Sequence, residues 1–211
     1  EAGTGTTDML AMMPLGVSSM ANEIHRAGLR TAVLNVARLF LGYRSKGTMT
    51  LSEDLHAYPA CVYGIDLHWS AHTSGALELA RWLKETRPGA SVILGGLTAT
   101  FFARHILENY PFIDGVVMGE CDGHMTKILR AIQAGTPEEA PGMAYRLDGE
   151  VVINDRLHPV LDAVDYMDEA GLVRPRAKLE RLERETLIQS IPVVRGCSQD
   201  CLFCGGSRRS Y

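Results

Sequence analysis

With 211 residues, 46% hydrophobic and 22% charged, the chain has material for one substantial core and a smaller appendage, and two folding units are the ceiling. A net charge of −4 and a pI near 6.0 provide no basic excess of the kind that neutralises phosphates, which excludes nucleic acid as the default partner. The longest apolar runs, such as residues 92–97, fall far short of the roughly 20 residues that span a bilayer, and no basic-then-apolar signal pattern opens the chain, so no membrane is expected and the protein reads as cytoplasmic.

In chain order, residues 14–27 place Val17, Met20, Ala21 and Ile24 at helical spacing, and Gly28 follows as a C-cap, so an amphipathic helix is predicted there. Residues 31–36 supply a strand. After a polar loop and a weak helical stretch near 51–57, residues 60–65 read as a second short apolar strand. A helix over 75–85 turns Leu79, Ala80 and Leu83 inward, residues 91–94 form a strand ending at Gly95 and Gly96, and 101–108 are helical again. Residues 113–118 give a further buried strand. Met125, Ile128, Leu129 and Ile132 then mark a closing helix, capped by Gly135.

Strands and helices alternating through short connections imply right-handed βαβ units and a parallel sheet covered on both faces. The expected class is therefore α/β, a doubly wound, flavodoxin- or Rossmann-like sheet occupying residues 1–140. Ligands of such sheets sit beyond the carboxyl ends of the strands, here the segments that start at Asp66, Gly95 and Gly119. Residues 141–190 read as a separate small hairpin, turning through Asp148-Gly149, followed by a charged linker helix. Residues 191–194 begin a new strand that opens a third segment, 191–211.

Directly after that strand come Cys197, Cys201 and Cys204, spaced CxxxCxxC. Five cysteines in a chain without an export signal favour metal ligation over a disulfide framework. Thiolates are the ligands that iron–sulfur clusters require, and a cubane held by three of them keeps one iron open to an exogenous molecule. A structural zinc site with a fourth ligand and a redox CxxC with a bystander are the competing readings. Zinc knuckles usually come as two separated pairs, and no second pair follows.

The CxxxCxxC spacing, with Phe203 just before the last cysteine, resembles the signature of the radical S-adenosylmethionine family. The resemblance implies a [4Fe–4S] cluster on Cys197, Cys201 and Cys204, S-adenosylmethionine on the open iron, and Phe203 packed near its adenine. It further implies reductive cleavage to a 5′-deoxyadenosyl radical, fed by a reductant such as flavodoxin or ferredoxin and directed at a small-molecule or peptide substrate. The strand at 191–194 would be the first of a partial (β/α) barrel.

The preceding domain resembles the B12-binding domain of cobalamin-dependent radical S-adenosylmethionine enzymes. The resemblance rests on Met13-Pro14-Leu15-Gly16, on Gly64-Ile65-Asp66-Leu67-His68-Trp69, on Val92-Ile93-Leu94-Gly95-Gly96-Leu97-Thr98-Ala99 and on Ile113-Asp114-Gly115-Val116-Val117-Met118-Gly119-Glu120. It implies a cobalamin across the strand ends, bordered by Asp66, Leu67, His68, Gly95, Gly96, Leu97, Thr98, Gly119 and Glu120, in an enzyme whose candidate reactions are methyl transfer and another radical rearrangement. Gly95 and Gly96 permit close backbone approach, or else merely turn the strand into the next helix. Glu120 borders the same face or caps the following helix. The Asp-x-His-x-x-Gly pattern that supplies a histidine to cobalt elsewhere is absent, because Asp66-Leu67-His68 is followed by Ala71. His68 and His72 could instead hold a metal, contact the corrin or serve as ordinary loop histidines.

Single residues carry further expectations. Cys61 reads as a buried small hydrophobe, Cys121 as a thiol at a helix start, Trp69 as packed under a loop or stacked on a planar ligand, and His124 as a first-turn surface residue. Residues 1–12 are too polar and glycine-rich for the strand that begins related domains. The chain is therefore expected to lack that strand and most of the barrel, and to be weakly folded and inactive in isolation.

Overall fold

The computed structural model describes residues 15–34, 36, 55, 58–155 and 173–174. In chain order these comprise α1 (Leu15–Arg26), β1 (Val33–Leu34), β2 (Val62–Asp66), α2 (Thr73–Thr86), β3 (Ser91–Gly95), α3 (Leu97–Phe101), α4 (Ala103–Asn109), β4 (Gly115–Val117), α5 (Met125–Ala134), β5 (Met143–Leu147), β6 (Glu150–Ile153) and β7 (Val173–Arg174). The strand at 191–194, the helix near 51–57 apart from Leu55, the linker helix apart from residues 173–174, and the segment 1–12 lie outside the described residues, as do Cys197, Cys201, Phe203 and Cys204; residues 173–174 form β7, a strand rather than part of a helix.

Five strands form one sheet in the order β2-β3-β4-β5-β6, and β1 pairs with β7 in a second, two-stranded sheet. β2, β3 and β4 run parallel, whereas β5 and β6 are antiparallel to their neighbours. The hairpin is thus the edge of the main sheet rather than a unit apart, since Val116 of β4 pairs with Ala144 of β5. Its turn has the expected chemistry: Asp148 and Gly149 both take positive φ, 52° and 86°, as a two-residue turn matched to strand twist requires.

The period of two along the strands divides the core. Val92, Leu94, Val116 and Ala144 face one layer, packed on Ala76, Ala80 and Leu83 of α2, Ala99 of α3 and Ile106 and Leu107 of α4. Ile93, Val117, Met143 and Tyr145 face the other, against Ile24 of α1 and Met125, Ile128 and Ala131 of α5. Both faces of the sheet are covered, which is why β3 reads as an unbroken apolar run. Each such Val, Leu or Ile side chain contributes about 1.5–3 kcal/mol on burial.

Polar ties close the layers. Arg146 of β5 donates to the Leu107 carbonyl oxygen at 2.7 Å, to Pro111 at 3.2 Å and to Ile113, joining the hairpin to the end of α4. At the start of β3 and β4, Asp114 accepts from Lys84 Nζ at 2.8 Å and from the Val92 amide at 2.7 Å. α1 and α5 end alike: Gly28 and Gly135 adopt φ of 79° and 73°, and the next residues, Leu29 and Thr136, donate back to Ile24 and Ala131. This left-handed C-terminal device favours glycine. No helix among the described residues is long and apolar enough to cross a membrane.

Candidate cofactor site

Three loops gather at the carboxyl ends of β2, β3 and β4. The first begins where the β2–β3 ladder overruns the strand, with the Leu67 amide donating to the Gly95 carbonyl at 2.8 Å and Leu67 itself buried. Its two carbonyls then turn to α3. The Ala99 amide donates to Leu67 O at 3.2 Å and the Thr98 amide to His68 O at 3.3 Å, while Thr98 Oγ1 donates to the same His68 oxygen at 2.8 Å. First-turn amides of a helix need acceptors, and here the neighbouring loop provides them. Those of Thr98 and Ala99 are consequently committed inside the protein.

Gly96, the N-cap of α3, has φ 96° and ψ 174°. A Cβ there would lie 2.6 Å from Asp66 Oδ1 and 2.9 Å from both His68 N and Leu67 C. Only glycine lets the first two loops close on each other. The third loop is tied in by Thr100, whose buried hydroxyl accepts from the Gly119 amide at 3.0 Å, and by the Met118 amide, which donates to Gly142 O at 2.8 Å. Its far end meets α1: Ser19 Oγ donates to Asp122 Oδ1 at 3.0 Å in a buried contact.

These loops fall within a recognisable unit, since residues 8–129 match the B12 binding domain family. The chain belongs to that family. An anaerobic magnesium-protoporphyrin IX monomethyl ester cyclase of Cereibacter sphaeroides is 31% identical over 135 residues, 61% of this chain and 22% of that protein. A hopanoid C-3 methylase of Methylococcus capsulatus is 26% identical over 204 residues, 94% of this chain and 37% of that protein. Among solved structures, the radical S-adenosylmethionine methyltransferase TsrM of Kitasatospora setae has the same fold over 77% of this chain and 32% of its own, with a TM-score of 0.58 and 16% identity. The chain spans 22% and 37% of the length of these two curated relatives.

The B12-binding domain presents a surface that suits a corrinoid. Among the described residues a Cβ at Gly95 would meet nothing nearer than the Val117 carbonyl oxygen at 3.9 Å, so the end of β3 offers them bare backbone. Trp69 and Phe101, which follow the first and second loops, are 63% and 56% exposed, apolar surface of the kind that binding covers. Ser18 Oγ on α1 is buried with no hydrogen-bond partner among the described residues. A large ligand with an apolar body and polar appendages meets all three conditions.

The electrostatics of the site centre on Asp66. One side of this residue is open to solvent, yet enclosure by the loops desolvates the carboxyl and raises its pKa above the ordinary value of 3.8, an effect that the nearby His68 and His72 oppose. A carboxyl raised in the folded state favours folding below its unfolded pKa, and that contribution is lost as pH climbs through the folded value. Asp66→Asn is therefore expected to melt above the parent at neutral pH, with the gap closing as the pH falls to about 4. Thermal melts across that range check it, and a gap that widens toward acid would refute the assignment.

The structure brings together Asp66, Leu67, His68, Gly95, Gly96, Leu97 and Thr98 and links Gly119 to them through Thr100, with Glu120 the next residue along. Other expectations change. Cys61 is exposed, not buried, and its Sγ accepts from Gln133 Nε2 at 3.1 Å, because β2 begins only at Val62. Trp69 is not packed under a loop: it is largely exposed, and its indole meets His68 edge to face, with centroids 5.1 Å apart. Among the described residues no group of three metal-ligating side chains forms, so His68 and His72 do not complete a metal site there. His124 is half-buried and is the N-cap of α5, without a side-chain cap bond. The carboxylate that does cap α5 is Glu23, which accepts from Gly123 N at 2.9 Å and Thr126 N at 2.8 Å. Nothing in the local pattern of α1 marks Glu23 for that role.

Proposed function

We propose that this chain is the cofactor-binding part of a cytoplasmic, cobalamin-dependent radical S-adenosylmethionine enzyme, with methyl transfer as its reaction class. The observation that carries the reading is the conjunction, in one chain, of a B12-binding domain with converging strand-end loops and CxxxCxxC at Cys197, Cys201 and Cys204. The activities of the hopanoid methylase and TsrM support methyl transfer.

Gly95, Gly96, Leu97, Gly119 and Glu120 would border the corrinoid, with Asp66, Leu67 and His68 shaping the first wall. Thr98 plays another part. Its amide and hydroxyl are both spent on His68 O, so it holds the loops together and leaves its methyl group for ligand contact. The three cysteines would hold the [4Fe–4S] cluster and Phe203 would pack beside the adenine of S-adenosylmethionine. Once bound, these groups supply reductive cleavage of the sulfonium and a cobalt able to carry a methyl group, while the chain positions them and excludes side reactions. A flavodoxin or ferredoxin would deliver the electron, and the substrate is a small molecule or peptide rather than nucleic acid.

The test is anaerobic reconstitution of the full-length protein with iron, sulfide and hydroxocobalamin. Corrinoid absorbance that stays with the protein, and a reduced-cluster EPR signal that changes on adding S-adenosylmethionine, are expected. Zinc uptake without a cluster would replace this reading with a structural metal module. A cluster without retained corrinoid would reduce the α/β domain to a scaffold.

A further inference from the structure

We infer that Glu23 is a positioning residue for the corrinoid site, acting from α1 as the cap of α5 and thereby fixing the third strand-end loop. The inference rests on the corrinoid reading above and adds a residue to it. His124, at the N-cap of α5, makes no side-chain cap bond. The two carboxylate oxygens of Glu23 take separate amides, Oε2 from Gly123 and Oε1 from Thr126. One turn earlier on the same face of α1, Ser19 holds Asp122. Two adjacent turns of one helix thus grip the chain entering another.

What lies between the grips gives the arrangement its consequence. The loop contains Gly119 and Gly123, both at positive φ, 72° and 78°, and glycine backbones lose the most freedom on being ordered. Its entry is held by Thr100 and Gly142; its exit is held by Glu23 and Ser19. Glu120 stands in the middle. Without Glu23, the first turn of α5 loses a charge-assisted cap, the exit loosens, and a ligand must order the loop itself at the expense of its affinity.

The test uses the full-length protein and hydroxocobalamin titrated by absorbance, with amide exchange as a second readout. Glu23→Ala is expected to weaken binding about tenfold or more, a change equivalent to about 1.4 kcal/mol per decade, and to speed exchange at Gly123 and Thr126 before any corrinoid is added. Glu23→Gln keeps one carbonyl acceptor and should fall between, and it carries the test if the alanine variant does not fold. Lys84→Ala breaks the Lys84–Asp114 pair (2.8 Å) at the opposite ends of the strands, so it should lower stability and bind corrinoid like the parent. Parental affinity in Glu23→Ala, or an equal loss in Lys84→Ala, overturns the inference while leaving the corrinoid reading intact. Failure of the parent protein to bind hydroxocobalamin overturns both.

Discussion

Full-length protein carrying Cys197→Ala, Cys201→Ala or Cys204→Ala is expected to lose its bound iron and sulfide and to show no EPR signal responsive to S-adenosylmethionine. Three thiolates are the minimum that holds a cubane while keeping one iron for an exogenous ligand. Removal of any one leaves two iron positions without protein ligands. Cys61 lies at the start of β2 with its sulfur engaged by Gln133, and Cys121 is buried with its Sγ 3.1 Å from Met20 Sδ. Cleavage of S-adenosylmethionine should fall about a thousandfold or more, which at about 1.4 kcal/mol per decade is ~4 kcal/mol of barrier. Cys61→Ser serves as the control and should keep a full cluster. If one of the three single variants retained the cluster and its response, the site would have a different ligand set, and the open-iron argument would fail with it.

The parts of the fold that were legible are those whose signal is local. The buried run of β3, the helical spacing of Met125, Ile128 and Ile132, the glycine caps at Gly28 and Gly135, and the Asp148-Gly149 turn each depend on residues within one element or its ends, so pattern alone predicts them. The clustering of Asp66, Gly96 and Gly119 was legible for a different reason: in a parallel sheet, strand direction alone places all three at one edge. Contacts between distant elements were not. The antiparallel pairing of β5 with β4 is accompanied by Arg146 reaching the carbonyls of Leu107, Pro111 and Ile113, and no feature of the hairpin announces those partners. Residues 101–108 show one helical pattern, yet the chain breaks at Phe102 between α3 and α4. Glu23 looks like an ordinary solvent-facing acid on an amphipathic helix until the start of α5 is seen beside it.

Substitution at the two glycines after β3 should separate their roles. Gly96→Ala places a Cβ in a backbone region that is essentially glycine-only, which costs about 1–3 kcal/mol. It also drives that Cβ against His68 N and Leu67 C at 2.9 Å, and because these are backbone atoms they cannot swing aside. Forcing the first loop away adds a similar overpacking cost of roughly 1–3 kcal/mol. It also strains the bonds from Thr98 and Ala99 to His68 and Leu67 that hold two walls of the site together. Gly96→Ala should therefore melt well below the parent and lose corrinoid binding, as thermal melts and hydroxocobalamin titration would show. Among the described residues Gly95→Ala meets only the Val117 carbonyl at 3.9 Å, an ordinary contact, so the fold should survive it. Whatever that methyl group then obstructs must come from beyond the described residues. Parental stability with a large loss of hydroxocobalamin affinity in Gly95→Ala would place the ligand directly against the end of β3. Parental affinity would mean that Gly95 only turns the strand toward α3, and the ligand-facing role assigned to it would have to be withdrawn.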